Sequence, residues 1–63
     1  MEKAIGPVEA LEIALRKEIS SIELYGNMGI KYPTINELCV FLVNEEHKHK
    51  KLIEQKIREL TKY

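Results

Sequence analysis

Apolar residues recur at steps of three and four along two stretches of this chain, and ionisable residues interrupt both. The first stretch reads Val8, Leu11, Leu15, Ile22 and Tyr25, with Glu18 standing where the next apolar residue belongs. The second reads Ile35, Leu38, Leu42, Ile53, Ile57 and Leu60, with Glu46 and His49 in the gap. Steps of three and four place one stripe of side chains along one face of an α-helix, the face that packs on a neighbour. An ionised carboxylate taken out of water without a partner is strongly disfavoured. The pattern therefore calls for two helices, and for something that compensates three polar groups in their seam.

The helix boundaries follow from local chemistry. Gly6-Pro7 opens the first helix, because proline suits the first helical position, where its missing N–H is not needed. Glu9 and Glu12 favour the positive end of the helix dipole. The helix is expected to end near Met28, with Gly29 as a left-handed cap. After a short connection, Ile30 to Pro33, the run Thr34-Ile35-Asn36-Glu37 reads as a capping box. The second helix then runs from about Ile35 to near the C-terminus. Glu12 with Arg16, and Glu54 with Arg58, are spaced for ion pairs on the outer faces.

A connection this short forces an antiparallel hairpin. Counted from the turn, Glu18 and Glu46 both lie roughly 17 Å away at about 1.5 Å per residue. They are expected to face each other across the seam. Residues three apart on a helix point to one side, so Glu46 and His49 can reach the same ion.

With 63 residues the chain makes one domain, 1–63, and buries only a modest core. Chains of this size add disulfides, a metal or oligomerisation. Cys39 is the single cysteine, so no internal disulfide exists, and its apolar surroundings mark it as a small core residue. Leu38 to Val43 is apolar around the full helix circumference, and Ile13, Ile19 and Leu24 lie off the first seam. One hairpin cannot cover all of that surface. A homodimer forming a four-helix bundle is the smallest assembly that does, and the surplus leaves room for a ring of dimers.

Two chains would bring four Glu and two His to one level, enough for two divalent iron ions shared between them. The same oxygen and imidazole ligands accept Mn or Zn. Tyr25 stands two turns from Glu18 on the same face, a candidate neighbour of the site, and Glu45 is spaced to support His49.

Charge excludes other classes. Ten Lys plus Arg balance ten Glu, with no Asp, so nothing draws the chain to nucleic acid. The basic cluster His47-Lys48-His49-Lys50-Lys51 has no interleaved aromatic residues and reads as a solvated face with His49 turned inward. The longest apolar run is too short to span a membrane. Glu2 and Lys3 precede no long apolar stretch, so no signal peptide is expected, and a cytoplasmic setting follows.

The stretch EISSIELY, Glu18 to Tyr25, resembles the first ligand helix of rubrerythrin-like members of the ferritin-like superfamily. The stretch EEHKHKKLIE, Glu45 to Glu54, is similar to their Glu-x-x-His helix. The resemblance covers about residues 8–60. It implies iron-ligand roles for Glu18, Glu46 and His49, and a tyrosine near the site at Tyr25. The single-hairpin length is most similar to the encapsulated ferritins, which implies a ferroxidase site between chains, an encapsulin shell as partner and residence inside that nanocompartment. The chain departs from a full rubrerythrin in lacking a second hairpin and any Cys-x-x-Cys pair.

The expectation is therefore an all-α antiparallel hairpin that dimerises into a ferritin-like four-helix bundle, with Fe(II) oxidation by oxygen or peroxide as its chemistry. Two rivals stand beside it. One is a metal-free hairpin serving as an assembly or partner-binding module, with Glu and His in the seam only to fix register. The other is a Zn or Mn staple without turnover. For Glu46 alone, a surface salt bridge to Lys50 is the simple alternative. For Tyr25 it is a plain core aromatic.

Overall fold

The computed structural model describes residues 5–62. Glu2 and Lys3, read above for a leader, lie outside the described residues. Two helices, α1 (Pro7–Lys31) and α2 (Asn36–Thr61), are joined by Tyr32 and a single 3-10 turn, Pro33–Ile35. They pack against each other as a hairpin that measures only 11 Å through its thinnest direction. That is one helix diameter. No helix of the described residues is long and apolar enough to cross a membrane.

Pro7 is the first residue of α1, as its fixed φ and missing N–H favour. The end of α1 differs from the sequence expectation. The helix continues past Gly29 to Lys31, and no glycine among the described residues has a positive φ. Pro33 sets the stop instead. A residue before proline is pushed out of the helical region, and Tyr32 sits at φ −124°, ψ 86°. Its N–H still reaches back to the Met28 carbonyl at 2.8 Å, closing the last turn. Lys31 Nζ lies 5.4 Å from the centre of the Tyr32 ring, a cation–π contact over the turn.

Gly29 has a different job from the cap expected of it. It is buried, and a Cβ built there would stand 3.0 Å from Cys39 Cβ and 3.1 Å from Asn36 Nδ2. Its missing side chain lets the start of α2 cross close to the end of α1. Asn36 Nδ2 donates to the Gly29 carbonyl at 3.1 Å, which ties the two helices across the turn.

The capping box does not form. Thr34 lies inside the 3-10 turn rather than in an extended cap conformation, and α2 begins after Ile35 without a side-chain cap. The outer ion pairs also differ. Glu45–Lys48 at 2.9 Å, Lys50–Glu54 at 3.8 Å and Lys56–Glu59 at 3.7 Å form among the described residues, in place of Glu12–Arg16 and Glu54–Arg58. Exposed pairs of this kind contribute little.

On α1 every member of the expected stripe, from Val8 to Tyr25, is half-buried. On α2 the stripe is displaced near the turn. Leu38, expected inside, is 58% exposed, while Cys39 is only 2% exposed. At 100° per residue, Cys39 is nearly in line with Glu46, whereas Leu38 is rotated well off that line. Leu60 at the far end is exposed as well.

Only Gly29 and Cys39 are buried among the described residues. A pair of helices gives each seam residue one neighbour and leaves its flanks open. The variants Gly26→Ala and Gly29→Val should separate propensity from packing. Gly26 has nothing within 4 Å of an added Cβ, so Gly26→Ala should stabilise by about 0.5–1 kcal/mol. Gly29→Val forces bulk against Cys39 and should cost about 1–3 kcal/mol. Chemical denaturation of the two variants beside the parent checks both signs.

Candidate metal centre

Glu18 lies near the middle of α1, and Glu46 and His49 lie near the middle of α2. Their level is set by the hairpin itself: the tight turn fixes the register, and each helix runs about equally far beyond it. Heptad spacing carries Glu18 onto the seam between Leu15 and Ile22. On α2 the same spacing carries Glu46 onto the seam between Leu42 and Ile53, with His49 one turn further along its edge.

The three side chains converge. Each offers one ligand atom, and those atoms all lie within 4.8 Å of one another. His49 Nδ1 stands 3.0 Å from Glu46 Oε1 and 3.7 Å from Glu18 Oε2. Among the described residues no other group of three or more His, Cys, Asp or Glu side chains comes together in this way.

Burial is uneven within the group. The side chains of Glu18 and Glu46 are 20% and 19% exposed, while that of His49 is 53% exposed. The carboxylates therefore lie in the seam, and the imidazole stands at its rim and opens the site to one face. His49 was expected to turn inward; it turns towards the carboxylates but remains accessible.

Glu18 Oε2 is buried and has no hydrogen-bond partner. The His49 ring faces it, but 3.7 Å exceeds hydrogen-bond range. A protonated imidazole can satisfy Glu46, but it leaves Glu18 unmatched. A buried carboxylate oxygen without a donor costs free energy, and a cation among the three ligand atoms would remove that cost. Two carboxylates and one imidazole suit borderline divalent ions. The residues present thus fit a divalent metal.

The surrounding residues divide more sharply than the sequence alone indicated. Glu45 holds Lys48 at 2.9 Å, which gives it a partner other than His49. Lys50 turns towards Glu54, so the simple surface pair with Glu46 does not form. Tyr25 is half-buried on the α1 stripe, two turns nearer the loop, and no hydrogen bond among the described residues joins its hydroxyl to the three. No family model, curated protein or solved structure matches this chain.

The unsatisfied oxygen gives a direct test. Replacing Glu18 by Leu removes a buried oxygen that has no hydrogen-bond partner in the metal-free chain. Metal-free Glu18→Leu should unfold at higher temperature than the parent, by at least about 1 kcal/mol at the midpoint. Added divalent metal should raise the midpoint of the parent and leave that of the variant unchanged. Thermal melts with and without metal read both effects.

Proposed function

We propose that this chain is one half of a ferritin-like bundle, resembling the encapsulated ferritins, and that two copies bind iron between them for Fe(II) oxidation. The observation that carries this reading is the convergence of Glu18, Glu46 and His49 around an unsatisfied carboxylate oxygen. A second support is the position of His49 at the rim, where a partner's trio can approach it.

In this reading Glu18, Glu46 and His49 of both copies would hold the metal, the carboxylates offering oxygen ligands and the imidazole a nitrogen ligand. Two irons held together would supply paired electrons to oxygen or peroxide. The chain's own contribution is geometric and electrostatic. The seam sets the two carboxylates beside each other in a setting that a cation stabilises, and the neighbouring Leu15, Ile22, Leu42 and Ile53 limit access of water to them. Tyr25 is in this scheme a seam aromatic that closes the loop side of the site. Iron is the proposed metal because the ligand order matches the rubrerythrin-like pattern; Mn and Zn are the competitors.

Anaerobic titration of Fe(II) followed by air tests the proposal. The expected result is two irons per dimer and ferric absorbance on exposure to oxygen. Glu46→Ala and His49→Ala should each weaken binding at least about tenfold, because loss of one ligand from a small set removes a large share of the affinity. Tight binding of Zn with no oxidation of Fe(II) would assign the site to a structural staple. Absence of binding by any divalent metal would leave the trio a register device.

A further inference from the structure

A concavity on α1 lies outside the candidate metal centre. It has a volume of about 420 Å³ and is lined by Ile13, Arg16, Lys17, Ser20 and Ser21. These five fall on one side of the helix over two turns. Arg16 and Ser20 stand about 160° round the axis from Glu18, so the outer edge of the concavity opens away from the seam. It shares no residue with the group Glu18, Glu46 and His49.

Every side-chain polar group in the lining can donate a hydrogen bond, and none is a carboxylate. Arg16 offers a forked guanidinium, Lys17 an ammonium, and Ser20 and Ser21 one hydroxyl each. Neither cation is engaged. Arg16 does not pair with Glu12 one turn away, and Lys17 meets no carboxylate among the described residues. By contrast, Lys48, Lys50 and Lys56 on α2 are each held by a Glu. The hydroxyls are equally uncommitted. A serine or threonine inside a helix readily bonds back to the carbonyl one turn earlier, as Thr61 does to Ile57 at 2.8 Å. Among the described residues neither Ser20 nor Ser21 forms a hydrogen bond through its hydroxyl.

We propose that this concavity binds a phosphate group. A guanidinium meets two phosphate oxygens at once through parallel N–H donors, and an ammonium adds a point charge beside it. The serine hydroxyls donate to the remaining oxygens. One phosphate leaves much of the space unfilled, and Ile13, 41% exposed, supplies an apolar wall for the organic part of an ester. The phosphate group is thus common to two sources, free inorganic phosphate and a small phosphate monoester such as a nucleotide. Two charge-assisted contacts support half-saturation on the order of 1 mM. The site is independent of the metal reading, since no proposed metal ligand takes part in it.

Amide NMR of the full chain tests this, at constant ionic strength and after metal is removed on a chelating resin. Inorganic phosphate and AMP are the two probes. Saturable shifts centred on residues 16–21 are expected. Arg16→Gln and Lys17→Gln should each weaken binding about tenfold, the loss of one charge-assisted contact. Both positions are exposed, so circular dichroism should show unchanged helicity. Tighter binding of AMP than of inorganic phosphate, with the difference lost in Ile13→Ala, identifies a monoester as the ligand. Equal binding identifies free phosphate.

Shifts that do not saturate by about 20 mM, or that are as large at Lys51 and Arg58, mean general screening of surface charge and overturn the site. Variants that titrate like the parent overturn it as well. Iron uptake is read separately. A failed phosphate titration leaves the metal reading standing, and a chain that takes up no metal leaves the phosphate site standing.

Discussion

A carboxylate in the middle of an apolar seam sets the terms for this molecule. Glu18 Oε2 is withdrawn from water and has no donor within hydrogen-bond range. Leucine at that position would pack and cost nothing, and the rest of the α1 stripe shows that the helix uses apolar residues wherever packing alone is served. The polar group is retained opposite Glu46 and His49, at one level of the hairpin. Such an arrangement is unfavourable in isolation and favourable around positive charge. The proposal of a metal centre rests on that imbalance.

The second constraint is geometric. Two helices form a slab one helix thick, and a slab has two faces and little interior. Among the described residues Gly29 and Cys39 alone are buried, both beside the turn where α1 and α2 approach closely. Towards the open end the seam residues remain half-covered. The exposed leucines and Phe41 therefore have the character of a core cut open. The rim histidine of the site lies on the open side as well, while its carboxylates lie in the seam. Assembly and metal binding become, in the proposed account, two aspects of covering one surface.

Much of this was legible from residue spacing. The two helices, their antiparallel pairing and the common level of Glu18 and Glu46 follow from counting along the stripes and from the shortness of the turn. The turn itself was harder to read. Gly29 carries the usual signal for a helix end, but Pro33 acts four residues later and Gly29 serves close approach to Cys39 and Asn36 instead. A glycine's effect depends on what crosses above it, which spacing does not show. Thr34 likewise matches a cap by residue type, yet the 3-10 turn denies it the extended backbone a cap requires. Cys39 reads in the sequence as a small core residue and is buried, whereas Leu38, placed on the stripe by its spacing from Ile35 and Leu42, is rotated about 80° from the line of Glu46 and stays exposed. For the site, spacing predicted convergence; it could not say that His49 would stay at the rim or that Glu45 would turn to Lys48.

The central claim is that symmetry-related copies of Glu18, Glu46 and His49 enclose a pair of metal ions. Iron K-edge X-ray absorption on protein loaded anaerobically with Fe(II) reads that arrangement directly. The account predicts a first shell of oxygen and imidazole nitrogen, and a second iron at about 3.5–4 Å. A spectrum showing only a water-like oxygen shell, with neither imidazole scattering nor a metal neighbour, would contradict it.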